Sequence, residues 1–286
     1  MPLVSMKSIL DKARERKYAV LATNMLSLEM ILGGVAAAEE MNSPLILQLA
    51  PVQFETSPLL IFGPLMVQAA KNAKVPIAVH LDHGYNLEDI YQAIDLGFTS
   101  VMFDGSSLSI EDNMMITKKI TDYAHKYGVT VEAELGYVGG EGEYFNQIGG
   151  NYRLTQPEDV VSFVSNTNCD ALAIAIGNSH GLYTSRPNLQ FELLKNIKSV
   201  SNVPLVLHGG SGTDPLDLKH CVTEGINKVN LASEIHYNYI KTVNSKNFID
   251  YPEFSKELIN YTKNIVSNYM VILGSAGKAK EERDVI

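Results

Sequence analysis

The stretch HLDHG brings His80, Asp82 and His83 together at the end of a short apolar run. Other apolar runs end in polar residues of the same kind: Asp104 in MFDGS, Glu132 and Glu134 in VEAELG, His180 in AIGNSHG, His208 in LVLHGGSG and Asn230 in KVNLAS. Neutral imidazoles from separate segments make a nitrogen-rich site for zinc or a related divalent ion. A set of three, His83, His180 and His208, leaves a coordination position open, as catalytic zinc sites do, whereas a structural site is closed and cysteine-rich. Taken singly, each histidine is equally a hydrogen-bonded strand-end residue, so the metal reading requires that the three converge. Asp82, next to a proposed ligand, is placed for general acid–base work; its structural alternative is a carboxylate that orients a histidine. Asp104 and Glu134 either hold a second cation, orient ligands or bind loop backbone. The HGGSG stretch (208–212) offers consecutive backbone N–H groups with little side-chain obstruction, which suits a phosphate.

Convergence needs a scaffold that brings strand ends to one place. Eight short apolar runs recur along the chain: Tyr18–Ala22, Leu45–Gln48, Ile77–Leu81, Ser100–Phe103, Val129–Glu134, Ala171–Ile176, Leu205–His208 and Val229–Leu231. Their length is that of fully buried parallel strands. Between them lie segments such as Leu87–Leu96 and Asn113–Tyr127, with apolar residues at helical spacing. Glycines at 97, 128 and 225 stand where helix C-termini want a left-handed residue. Eight strand–helix units predict an α/β fold, the (β/α)8 TIM barrel, over a doubly wound open sheet that could absorb the same number. Barrels carry their chemistry at the carboxyl ends of the strands, where the polar residues fall. Phosphate sites are often built after strands seven and eight, the positions of HGGSG and of Asn230–Ser233. His125, His220 and His236 sit in helical segments.

The 286 residues carry 45% hydrophobic and 19% charged residues, enough for a sizeable core, and no composition break marks a linker. One domain over 1–286 is expected, ending in a helical region at about 235–272. The net charge of −9 argues against a nucleic-acid partner. Backbone N–H groups and a metal can still bind anionic phosphates in an acidic protein. Cys169 and Cys221 are too few for a disulfide framework and lack metal-ligand spacing. The stretch MPLVSMKSILDKARERK has no secretory pattern, and no apolar run reaches the ~18 residues of a membrane span. A cytoplasmic protein with no membrane partner is expected.

The motifs together resemble the class II, metal-dependent fructose- and tagatose-bisphosphate aldolases. The matching stretches are HLDHG (80–84), SVMFDGS (100–106), VEAELGYVGG (131–140), IGNSHGLY (176–183), LHGGSG (207–212), KVNLAS (228–233) and GSAGKA (274–279), in order over most of the chain. The resemblance implies the same barrel. It implies that Asp82 moves the proton of the C4 hydroxyl and that His83, His180 and His208 hold a catalytic zinc. Asp104 and Glu134 match the family's positions for a second cation, divalent or monovalent. Gly181, Gly209, Gly210, Ser211, Asn230, Leu231, Ala232 and Ser233, with Asn24, match the set that binds dihydroxyacetone phosphate. The activity so implied is reversible cleavage of a ketose phosphate into dihydroxyacetone phosphate and an aldehyde; barrels of this size are often oligomeric, and the helical region at about 235–272 offers an interface for a homodimer or homotetramer. A Schiff-base lysine is the other route to the same bond cleavage. No run ends in lysine, and Lys228 is read as opening the eighth run on the wrong face.

The sequence departs from the family pattern at the aldehyde end. After the second run it reads QLAP, with Ala50 and Pro51 where small or hydroxyl residues are usual. The stretch IDYPEF (249–254) lacks the arginine many members carry there, Thr184 replaces a lysine with Arg186 nearby, and either Glu141 or Glu143 could be the mobile-loop carboxylate. Loss of an arginine clamp removes a specific phosphate contact, so the aldehyde need not be phosphorylated. Three other activities need weighing: a metal-dependent sugar-phosphate isomerase or epimerase, a metal-dependent hydrolase and an inactive sugar-phosphate-binding homologue. The hydrolases commonly use His-x-His on the first strand, and YAVLAT (18–23) has none. A dead homologue would tolerate loss of Asp82, which is present.

Overall fold

The computed structural model describes residues 2–139, 153–183 and 185–279. Eight parallel strands close into a barrel in sequential order. They are β1 Val20–Asn24, β2 Leu45–Leu49, β3 Ile77–Gly84, β4 Ser100–Phe103, β5 Thr130–Leu135, β6 Ala171–Ile174, β7 Leu205–Leu207 and β8 Ile226–Leu231. All are buried along their length, which is why each reads as an apolar run. The helices are α1 Met6–Arg16, α2 Leu28–Met41, α3 Leu59–Asn72, α4 Leu87–Asp95, α5 Ile110–Ala124, α6 Pro157–Thr167, α7 Phe191–Val200, α8 Pro215–Thr223, α9 Ser233–Asn244 and α10 Tyr251–Ile272. Side-chain caps start several of them: the Ser27, Asn86, Ser109 and Asp250 side chains accept backbone N–H groups of the first turns of α2, α4, α5 and α10. None of the described helices is long and apolar enough to cross a membrane.

The barrel interior changes character along its axis. At the floor it is filled by Val20, Ala22, Ile46, Ala78, Met102, Ala171, Ala173 and Val206, against which α1 packs Met6, Ile9, Leu10 and Ala13. Each large side chain so buried contributes ~1.5–3 kcal/mol, and together they plug the barrel from below. Strand alternation then brings polar residues to the inward face higher up, among them Gln48, His80, Glu132, Glu134, Lys228 and Asn230. β8 begins at Ile226, so Lys228 does not open the strand. It shares the inward face with Asn230, and the expectation of a wrong-facing lysine is corrected: its side chain is fully buried and ion-paired inside the barrel.

The carboxyl-terminal region folds back over the amino-terminal side. α10 lies against α2, and the approach depends on Gly33, where a Cβ would come within 2.6 Å of the Ile259 carbonyl oxygen. Glu29 fixes the junction by accepting hydrogen bonds from Tyr251 Oη and Ser255 Oγ, each at 3.0 Å.

Candidate metal centre and active site

Regular β alternation would point Asp82 and His83 to opposite faces of β3. The register between β3 and β4 shifts between Leu81 and Gly84, and His83 takes a left-handed φ of 47°. This bulge turns both neighbouring side chains toward the barrel mouth. Gly84 permits it, since a Cβ there would lie 2.6 Å from the Met102 carbonyl oxygen.

Three imidazoles meet above it. His83 lies edge-on to His180 and His208, with ring centroids 4.8 and 4.6 Å away, and His180 and His208 are 5.6 Å apart. Each ring has one nitrogen engaged behind it. His83 Nδ1 is 2.8 Å from Asp104 Oδ2, His180 Nδ1 is 3.2 Å from the Gly139 carbonyl and His208 Nε2 is 2.9 Å from Glu132 Oε1. These acceptors engage the outer ring nitrogens and leave His83 Nε2, His180 Nε2 and His208 Nδ1 facing inward. His83 Nε2 and His208 Nδ1 are 2.9 Å apart, and His180 Nε2 is buried without a protein partner. Two nitrogens so close need a positive charge between them, a proton on His83 or a metal ion in its place, and the donor set is that of a divalent metal with nitrogen preference. The residues present therefore fit zinc.

The electrostatics agree. Burial alone would lower His83, but Asp82, the Asp104 hydrogen bond and Glu134 raise it to about 9. Burial and the neighbouring His83 push His180 down to about 4, and the same causes hold His208 well below its ordinary value. The cluster thus accommodates positive charge at one point inside a ring of carboxylates. A second group, His83, Asp104 and Glu134, also brings ligand atoms within 4.8 Å. There Asp104 accepts from His83 with one oxygen and from Ser106 N and Oγ (3.1 and 2.6 Å) with the other. Glu134 accepts from Val138 N at 3.1 Å, and burial followed by the charge of Asp104 raises it to about 8. Asp104 is thereby satisfied by protein donors, which favours the orienting role over a second cation.

Asp82 is held from both sides. Oδ1 accepts from Asn230 Nδ2 at 3.0 Å, and Oδ2 accepts from Gln48 Nε2 at 3.1 Å and Asn24 Nδ2 at 3.3 Å. Burial would raise its pKa, but the positive field of His83, His208 and Lys228 and the Asn24 amide keep it below the usual carboxylate range. Asn24 is itself placed by Gln48 and by Gln53, whose Oε1 also accepts from Ala50 N.

These groups open on a cavity of about 450 Å³. Asn24, Asp82, His83, Asp104, His180, Gly181, Gly209, Ser211, Asn230, Ala232 and Ser233 line it; His208, Glu134, Gly210 and Leu231 do not. His208 and Glu134 lie beneath it, fully buried, while Leu231 points into the hydrophobic core. Gly210 gives its N–H to the Asn230 carbonyl. Gly209 is irreplaceable on steric grounds: its φ is 64° and a Cβ would lie 1.9 Å from the Ser179 carbonyl oxygen. Ala232 N donates to Ser211 Oγ and Gly212 N to Glu234, tying the β7 and β8 loops into one rim. Two residues lie deeper than sequence reading assigned them: Glu132, behind His208, and His236, whose Nε2 is 3.0 Å from the Asn24 carbonyl. For Glu132 the signal was its shared face with Glu134, two residues on; for His236 no sequence pattern pointed to the site. Glu141, Glu143 and Thr184 lie outside the described residues.

The chain is similar to known proteins over nearly its whole length. The family profile described as fructose-bisphosphate aldolase class-II matches residues 4–278. A curated protein of Escherichia coli K12, YdjI, is 37% identical over 270 residues, covering 94% of this chain and 97% of its own. The crystal structure of the YdjI aldolase from the same organism superposes with a TM-score of 0.88 at 34% identity, covering 97% of this chain and 99% of that one. A fructose-bisphosphate aldolase from Campylobacter jejuni, 24% identical with 96% of each chain covered, shares the fold at a TM-score of 0.77.

Proposed function

The chain belongs to the class-II fructose-bisphosphate aldolase family, and from that premise we propose that it reversibly cleaves a ketose phosphate into dihydroxyacetone phosphate and an aldehyde in the cytoplasm. The observation that carries this reading is the convergence of three inward-facing imidazole nitrogens beside a carboxylate held in place by Asn24, Gln48 and Asn230. His83, His180 and His208 would hold the zinc. Bound there, zinc supplies an electrophile for the negative charge that develops on the ketose oxygens as the C3–C4 bond breaks.

In this reading the chain's own residues perform the proton step. Asp82 takes the C4 hydroxyl proton during cleavage and returns it during condensation. Its two-sided hydrogen bonding fixes the carboxylate plane, so little reorientation remains at the moment of transfer. The rim formed by Gly181, Gly209, Ser211 and Ser233 receives the phosphate of the dihydroxyacetone unit.

The other end of the substrate is uncharged or weakly charged in this proposal. Among the described residues that line the cavity there is no lysine or arginine. Arg186 is committed to a bidentate pair with Asp217 at 2.7 and 2.8 Å. Tyr251 of the IDYPEF stretch is turned to Glu29. The outer walls are instead Val52, Gln53, Tyr85 and Tyr137, which suit a hydroxylated or apolar aldehyde. The substrate is thus a ketose 1-phosphate in preference to a 1,6-bisphosphate. A screen of aldehydes with dihydroxyacetone phosphate in the condensation direction tests the reaction class: carbon–carbon bond formation supports an aldolase, whereas interconversion of ketose phosphates without triose release would identify an isomerase or epimerase.

The proposal extends to assembly as a homodimer or homotetramer. The exposed Tyr237, Ile240 and Val271 of the carboxyl-terminal helices support it, and light scattering measures it.

A further inference from the structure

One charged pair lies beneath the mouth and does not line the cavity. Lys228 Nζ is 2.9 Å from Glu132 Oε2 and 3.1 Å from Oε1, with both side chains fully buried. Glu132 Oε1 is also the atom that meets His208 Nε2 at 2.9 Å. On the far side His80 Nε2 stands 3.8 Å from Glu132 Oε2, while its other nitrogen is engaged by Ser100 Oγ at 2.5 Å. A fully buried ion pair is an expensive way to fill a barrel, and well-packed hydrophobic side chains commonly serve stability as well or better. Its presence calls for a positional explanation.

We infer that the Lys228–Glu132 pair is a positioning device that makes His208 face the metal centre through Nδ1. Glu132 accepts the Nε2–H of His208, so the ring must present Nδ1 to His83 and His180. Lys228 supplies the counter-charge for a carboxylate at this depth, donating to its Oε1 and lying within ion-pair distance of its Oε2. His83 and His180 are held the other way round, by acceptors at Nδ1, and face the centre through Nε2. The ligand set is therefore two Nε2 atoms and one Nδ1 atom, and the odd member is the one backed by the ion pair. A glutamine at 132 could turn its amide N–H to His208 Nε2, which would move the ring proton to Nδ1 and direct the lone pair away from the centre. Lys228 and Glu132 act through His208 and touch no substrate.

This inference rests on the metal centre proposed above, and the test separates the two. Zinc dissociation constants are measured by chelator competition, with melting temperatures in parallel, for E132Q, K228M, the double variant E132Q/K228M and H180A. E132Q and K228M should each weaken zinc binding by roughly 10- to 100-fold. The double variant removes both charges and should regain thermal stability over the single variants, yet keep the weakened zinc affinity. Wild-type zinc affinity in the double variant would overturn the inference and leave the pair a packing feature. Unchanged zinc affinity in H180A, which does not touch the pair, would instead overturn the metal centre itself. Should the single variants fail to fold, cadmium-113 substituted into the wild-type protein with nitrogen-15-labelled histidine gives the same decision. Coupling through Nδ1 of His208 and Nε2 of His83 and His180 is expected, and coupling through His208 Nε2 would overturn the assignment.

Discussion

Asn230 Nδ2 and Asp82 Oδ1 lie 3.0 Å apart, joining the end of β8 to the bulge of β3 across the barrel mouth. The bond orients the proposed base from the side opposite Gln48. Asp82→Asn should keep zinc and ligand binding while lowering kcat roughly 100- to 10,000-fold, the usual worth of a positioned acid–base group. Steady-state kinetics with a zinc titration measure both, and unchanged turnover would remove Asp82 from the proton step.

Zinc should be required and replaceable. Dialysis against a chelator is expected to abolish cleavage, and added zinc to restore it; cobalt or manganese should restore part, since nitrogen donors accept both. Activity that survives complete removal of metal would contradict the assignment of the three histidines.

Asp104 is expected to act through His83. Asp104→Asn keeps the shape but weakens the acceptor for His83 Nδ1, so zinc affinity should fall by roughly 10- to 100-fold. At saturating zinc, KM for the ketose phosphate should stay near the wild-type value. A change in KM without a change in zinc affinity would place Asp104 against the substrate instead.

At the aldehyde end, kcat/KM for a ketose 1-phosphate should exceed that for the matching 1,6-bisphosphate. Introducing a lysine at Val52, which is 83% exposed on the cavity wall, should shift the ratio toward the bisphosphate. A strong wild-type preference for the bisphosphate would defeat this reading.

Acid should loosen the seat of α10. Glu29 accepts from Tyr251 and Ser255; burial opposes ionisation, but the hydrogen bond from its own backbone N–H, with those from Tyr251 and Ser255, holds its pKa below the ordinary 4.5. A depressed carboxylate pKa contributes stability that is present above the unfolded value and lost as pH falls through the folded one. Between neutral pH and pH values below that range the wild type should lose ~1 kcal/mol at this junction, allowing for solvent screening. Glu29→Gln should be less stable at neutral pH and flatter on acidification, as followed by chemical denaturation.

The eight strands are legible in the sequence because each is buried on both faces and so reads as a compact apolar run. The runs locate β4 to the residue, whereas β1 is read early and β8 late. β8 is missed at its start because Asn227 and Lys228 interrupt the apolar pattern although both are buried. Polar residues at strand ends mark the mouth for the same reason: they stand out, as a set, against otherwise apolar buried runs. What composition does not carry is local backbone geometry. Nothing in HLDHG announces a bulge except Gly84, whose close contact with Met102 shows only in three dimensions. The inner pair Glu132–Lys228 is hidden because its members are distant in sequence and each, alone, resembles an ordinary strand residue.

The bulge at Asp82 and His83 has a consequence for how the site keeps its dimensions. Most catalytic spacings in a barrel are set by the packing of separate strands, and they drift when any neighbour in the core changes. Here the proposed base and one of the proposed metal ligands sit on adjacent residues, with Asp82 Oδ1 4.0 Å from His83 Nε2. A single peptide unit links them, so covalent bonds tie them together where packing alone would otherwise do so. Substitutions elsewhere in the barrel can move the pair together more easily than they can move one away from the other.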